Sequence, residues 1–316
     1  MNNAKIISIT SLVFLFIFNI HVQASGFNWQ FDYNASSNLS CIKVLKSKEY
    51  DKAFKCFDER AKSTNDGRDQ YNLSIMYYNG KGIKQNYTHA FSWLLKAANN
   101  KHVKSYSKLA TMYYQGKGTT KNTLEAYKWF LKAANHGHIN SQVNIAYFYE
   151  NGIAVSRNLK KSLSWYEKAA NSGDVSSATK VGSFNLAGLG TIKNIDKALE
   201  FLQIGAKKGN TAAERMLAQI YLFEQARINT RKGMYFLEKA VNKKDPQAIY
   251  MYALLNFNGK VIKQNIQDAY FYATIAKDLG AKPASQIIET IENKISPEDL
   301  RRLKASNAKA RIEIGM

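Results

Sequence analysis

The chain is poor in proline, in cysteine and in acidic residues. Three prolines in 316 residues, with no low-complexity tract, argue against long disordered linkers. Two cysteines, Cys41 and Cys56, are too few for a cysteine-rich disulfide scaffold. The short pair His136-Gly-His138 has no Cys or carboxylate partner at ligand spacing, so no metal site is expected. Asp and Glu number 24 against 45 Lys and Arg, a formal net charge of +21. That balance favours acidic partners, or simply keeps a long surface solvated. After residue 20 there is no apolar run long enough to cross a membrane.

What is present begins with a leader pattern. Lys5 supplies a positive charge, residues 6–20 are apolar apart from scattered Ser, Thr and Asn, and Val22-Gln23-Ala24 offers a small-residue cleavage site. Residues 1–24 are read as a signal peptide, which makes the mature chain exported. The expected location is the periplasm, with secretion as the alternative. Nucleic acid would suit the charge but not the export signal, and is not expected as a partner.

The rest of the chain is organised by repetition. LSIMYYNGKGIKQNYTHAFSWLLKAA, from Leu73 to Ala98, returns 36 residues later as LATMYYQGKGTTKNTLEAYKWFLKAA, from Leu109 to Ala134. The Trp93 position recurs as Trp129, Trp165, Phe201, Phe236 and Tyr272. The Leu73 position recurs as Leu109, Ile145, Val181, Leu217 and Tyr252. Around each, positions four before, three after and four after share one apolar helix face. A period of this length means a helix pair stacked on copies of itself, because one pair cannot bury both of its faces.

The turns repeat as well. Gly80-x-Gly82, Gly116-x-Gly118 and Gly188-x-Gly190 end first helices, where glycine supplies a left-handed backbone. No strand precedes them, so they are not phosphate loops. Asn86, Asn122, Asn158, Asn194, Asn229 and Asn265 stand where second helices start, as N-caps. His102, His138, Asp174, Asn210 and Asp245 fill the other turn and are read as caps rather than metal ligands. The fifth repeat, around Phe223-Glu224-Gln225-Ala226, lacks both glycines and predicts a distorted turn.

These motifs resemble the Sel-one-like repeat (SLR), a relative of the tetratricopeptide repeat (TPR). The resemblance implies an all-α fold: a right-handed α-solenoid of antiparallel helix pairs. The expected organisation is a signal peptide at 1–24, an extended lead-in at 25–38, a degenerate capping repeat at 39–64, six repeats of about 36 residues at 65–281, and C-terminal capping helices at 282–316. It also implies a scaffold, adaptor or regulator of the bacterial envelope that binds another protein or peptide, with a role in host interaction or virulence. Some cysteine-rich secreted relatives carry β-lactamase labels. This chain lacks their repeated cysteine pairs and any S-x-x-K, S-D-N and K-T-G set. The chain is therefore not expected to be an enzyme or to need a cofactor. An envelope hydrolase, or a binder of anionic envelope polymer, is the alternative.

Cys41 and Cys56 fall on the two helices of the capping hairpin. In an exported chain they are expected to form a disulfide, the alternative being two buried thiols. Partner binding is assigned to two rows on the first helices. One residue before the Leu73 row stand Asn72, Lys108, Asn144, Lys180, Met216 and Met251. Two after it stand Ile75, Thr111, Tyr147, Ser183, Gln219 and Leu254. Neither row fits the expected core face. Together they predict a groove, basic in its first half and apolar in its second, for an extended peptide or an acidic polymer.

Overall fold

The computed structural model describes residues 29–33 and 39–313. The expected signal peptide, and residues 25–28 and 34–38 of the lead-in, lie outside the described residues. Among the described residues there are sixteen α-helices, one 3-10 turn and no strand. A short pair comes first, α1 (Leu39–Lys46) and α2 (Tyr50–Ser63). Six pairs follow: α3 (Gly67–Asn79) with α4 (Tyr87–Asn99), α5 (Val103–Gln115) with α6 (Thr123–Asn135), α7 (Ile139–Asn151) with α8 (Leu159–Asn171), α9 (Val175–Ala187) with α10 (Ile195–Lys207), α11 (Thr211–Phe223) with α12 (Thr230–Asn242), and α13 (Pro246–Asn258) with α14 (Ile266–Asp278). The chain ends in α15 (Ala284–Glu292) and α16 (Pro297–Glu313). The fold is an all-α solenoid of helix pairs.

Every helix from α3 to α14 has 13 residues, about 20 Å of α-helix. Their ends explain the uniformity. Gly80, at φ 65°, closes α3, and the amides of Gly80 and Lys81 both donate to the Met76 carbonyl. Asn86 then does two jobs. Its amide donates back to the Tyr77 carbonyl at 2.9 Å, and its side chain accepts from the His89 amide at 3.0 Å. The same double tie recurs at Asn122, Asn158, Asn194, Asn229 and Asn265. Each such cap is worth about 1 kcal/mol over alanine. The fifth repeat has a 3-10 turn, Gln225–Arg227, in place of the glycine turn.

The aromatic of the second helix carries a lysine three residues on. Lys96, Lys132 and Lys168 lie 4.1, 3.9 and 3.9 Å from the ring centres of Trp93, Trp129 and Trp165. The W-x-x-K spacing puts both on one helix face, where the cation covers the indole.

The described residues sort into two compact units, those up to 177 with 189–191, and 178–188 with those from 192 on. In the first, Cys41, Ile42, Phe57, Leu73 and Met76 pack under the capping pair, and Ile75, Leu94, Leu109, Met112, Phe130 and Phe148 form the next core. Cys41 and Cys56 are disulfide-bonded, with Cα atoms 5.5 Å apart. In the second, Leu202, Met216, Leu217 and Ile220 pack together, and Leu237, Met251 and Leu255 form a further cluster.

First helices are buried around most of their circumference. In α3 every residue from Asp69 to Met76 is buried, and in α5 every residue from Ser105 to Met112. A helix flanked on both sides by neighbouring pairs and backed by its own partner has almost no solvent face.

Candidate functional site

The burial of the first helices corrects one expectation. The two rows assigned to a groove do belong to the packed interior. Asn72, Ile75, Lys108, Thr111 and Asn144 in the first unit are buried, and Tyr147 is half-buried. In the second unit Lys180, Met216, Met251 and Leu254 are buried, and Ser183 and Gln219 half-buried. The reason is geometric. A position one before the Leu73 row is four before the Met76 row, so it sits one turn beneath a core residue on the same face. Ile75, Met216, Met251 and Leu254 are core side chains, Ile75, Met216 and Met251 inside the apolar clusters. Thr111 turns its hydroxyl to the Ser107 carbonyl of its own helix, at 2.9 Å.

Asn72 is different, because a piece of chain far away in sequence lies on it. The described part of the lead-in, Trp29–Tyr33, rests on α3 and the start of α5. The Asp32 amide donates to Asn72 Oδ1 at 2.7 Å, and Asn72 Nδ2 donates to the Asp32 carbonyl at 3.0 Å. One primary amide thus satisfies both backbone groups of one residue. The Tyr71 hydroxyl donates to the Gln30 carbonyl at 2.9 Å, and Asn79 Nδ2 to the Trp29 carbonyl at 3.1 Å. Asn72 and Asn79 are about 10 Å apart along the helix axis. Three residues, Trp29 to Asp32, cover that distance only when nearly extended. The segment runs opposite to α3.

Side chains complete the site. The Trp29 ring stacks on Tyr78, with centroids 3.5 Å apart and planes within 11°. Lys108 Nζ lies 4.9 Å from the same indole centre. Lys117 stands 4.6 Å from the Tyr78 ring centre and donates to its hydroxyl at 2.9 Å, extending the cation–aromatic stack. Phe31 packs against the apolar clusters.

Asp32 is 5% exposed, and its carboxylate is met by Lys104 Nζ at 2.7 Å and His102 Nε2 at 3.0 Å. A carboxylate only accepts, so Nε2 carries the proton facing it. Nδ1 then faces the Ser105 hydroxyl at 2.9 Å. Burial lowers the His102 pKa, against the pull of Asp32 and with help from Lys104. Lys108 is pushed down to about 8, chiefly by burial and next by the charge of Lys104.

His102 is thus not the cap that its repeat position suggested. Its side chain makes no capping bond, whereas His138, one repeat on, does accept from the Ser141 amide at 3.2 Å. The sequence reading missed Tyr71, Tyr78, Asn79 and Lys104, and missed the lead-in as anything but a connector. The available signal was the alternation of Trp29, Phe31 and Tyr33, three aromatics on every second residue beside an acid.

Chemically, the arrangement reads an extended chain. Four of its hydrogen bonds go to backbone groups and are indifferent to sequence. Tyr78 and Lys108 select an aromatic ring, and His102 with Lys104 select a carboxylate three residues later.

Comparison with known proteins agrees with this architecture. The Sel1 repeat family model matches residues 68–102, 103–138, 139–174, 175–210, 211–245 and 246–280. A protective antigen of uropathogenic Escherichia coli strains, solved with an SLR fold, superimposes with a TM-score of 0.73 at 22% identity. The match covers 88% of this chain and 61% of that one, so the chain spans under two thirds of the antigen's length. A Sel1 repeat protein from Oxalobacter formigenes superimposes with a TM-score of 0.56 at 27% identity, over 77% of this chain and 97% of that one. No curated protein matches the chain in sequence.

Proposed function

Since the chain belongs to the Sel1 repeat family, whose members are generally non-enzymatic protein-interaction scaffolds, we propose that it works as an exported scaffold or adaptor of the bacterial envelope. Its partner is another protein, taken in part as an extended peptide along the first helices. The observation that carries this reading is the double hydrogen bond from Asn72 to the backbone of Asp32. A buried amide placed to satisfy a passing main chain is a recognition device more than a packing one. Export is supported by the leader pattern at residues 1–24 and by the Cys41–Cys56 disulfide, which persists in oxidising compartments. Among the described residues no helix is long and apolar enough to cross a membrane. The likeness to a protective antigen of a pathogenic strain supports a role in host contact.

The test is a photoreactive residue in place of Tyr147, on the half-buried part of the row, crosslinked in intact cells. The expected result is one discrete adduct with an envelope or host protein. No adduct, or an indiscriminate smear, overturns the reading. The formal charge of +21 favours a second reading, binding to an anionic envelope polymer. That binding would fall steeply as salt rises through the range where the Debye length shrinks below about 10 Å.

A further inference from the structure

The first-helix face of α3 and α5 is already occupied, and the occupant defines its ligand. We propose that Trp29–Tyr33 is a tethered ligand, which holds a partner site closed, and that the site when released takes an extended partner peptide carrying an aromatic residue three positions before an aspartate. This rests on the scaffold reading above and names the chemistry of its partner.

Four observations carry it. The segment is held by groups that any extended peptide would meet: Asn72 on the Asp32 amide and carbonyl, Tyr71 on the Gln30 carbonyl, Asn79 on the Trp29 carbonyl. It sits as a guest on the surface, since Gln30 and Tyr33 are exposed and Trp29 and Phe31 only half-buried. Its selective contacts are those of a recognition site: an indole stacked on Tyr78 beneath Lys108, and a carboxylate between His102 and Lys104. The repeats also hold the site without its help, because Asn72, His102 and Lys108 occupy regular positions of capped helices.

A short tether gives a local concentration in the millimolar range. A partner peptide of modest affinity therefore cannot enter until the segment leaves, whereas a better or multivalent one displaces it. The closed state also shields the aromatic row of Trp29, Phe31 and Tyr78 until a partner arrives. The partner is read as acidic at one point, where Asp32 now sits, and not as uniformly acidic.

The experiment uses the purified full chain and a fluorescent peptide with the sequence of residues 27–34. Binding is measured to the wild type and to a released chain carrying Trp29→Ala and Asp32→Ala. The expected result is roughly tenfold or greater tightening on release, as removal of a tethered competitor requires. In the released chain Lys104→Glu, an exposed change that spares the fold, should weaken the peptide about tenfold, and replacing the peptide's aspartate by asparagine should do the same. Asn72→Ala should weaken it too, with circular dichroism confirming the helices. Equal affinity for wild-type and released chains overturns the proposal, as does no binding to the released chain or indifference to Lys104→Glu. Dimers formed by exchange of the segment between two copies, in place of peptide binding, also overturn it. Failure of the scaffold reading shows differently, as the absence of a captured protein at Tyr147 in cells.

Discussion

The position one residue before the Leu73 row changes character between the two units. In the first it is Asn72, Lys108 and Asn144; in the second it is Lys180 and then Met216 and Met251, the two methionines in apolar cores. Polar groups on the second unit's first helices are answered within the repeats. Glu214, fully buried, is met by Lys243 at 2.7 Å, and Arg215 by Asp245 at 3.1 Å. At Asn72 the answer comes from outside the repeats, from a segment some 40 residues earlier. The lesson is that a solenoid can close a first-helix face in two ways. Apolar side chains close it permanently, whereas a hydrogen-bonded guest closes it reversibly.

Exchanging residue types at this position tests that contrast most strongly. Met216→Asn should cost about 4 kcal/mol, because it leaves a cavity and buries an amide with nothing built to receive it. Asn72→Met should cost only about 2 kcal/mol, one net hydrogen bond at each of Asp32's backbone groups. Urea denaturation gives the first. Hydrogen exchange at residues 29–33 locates the second, which should open the segment while α5 and α6 stay protected. Equal global losses for both would erase the difference between the units.

Much of the scaffold was legible because it repeats. Leu73, Met76 and Trp93 announced the packing faces, Gly80 and Gly82 the turn, Asn86 the cap, and the missing glycines near Glu224 the distorted turn. The site was harder for physical reasons. Asn72 and Lys108 are polar, and polarity at the edge of an apolar stripe reads as a solvent face, although neighbours on both sides bury it. The lead-in has no period, and its pairing with α3 spans some 40 residues, beyond the reach of local pattern. His102 and His138 occupy equivalent positions, and only the presence of Asp32 makes one a ligand-holding group and the other a cap.

Acid should separate the two units next. All five histidines precede residue 139, so none lies in the second unit. Burial lowers the pKa of His102, and burial with the nearby Lys108 lowers that of His138. Unfolded, both take up protons near the ordinary value of about 6.5; folded, only at lower pH. Between those points the unfolded chain binds more protons, so stability falls as pH drops, by up to ~1.4 kcal/mol per pH unit for each group. Urea midpoints between about pH 7.5 and about pH 5 should fall, and hydrogen exchange should place the loss in α3–α8, with α11–α14 unchanged. Asn in place of each histidine should flatten the dependence. Lys108 acts at the other end: its folded value of about 8 lies below the ordinary lysine range, so stability should rise from there to about 10.5.

The smallest expected effect isolates scaffold from guest. Gly118 holds φ 73°, and a Cβ there would run into the Tyr87 carbonyl oxygen. One repeat later the same turn position is Ala154, at φ 59°. A left-handed alanine costs about 1–2 kcal/mol, and the extra freedom of an unfolded glycine takes back roughly 0.4–1 kcal/mol. Ala154→Gly should therefore stabilise the first unit by about 0.5–1 kcal/mol in urea denaturation. Exchange at residues 29–33 should not change, because leaving α3 and α5 is a local opening that does not require the turn after α7 to unfold. If the substitution slowed exchange of the segment as much as that of α7, Trp29–Tyr33 would be part of the cooperative core. The distinction between a face closed by packing and one closed by a guest would then collapse.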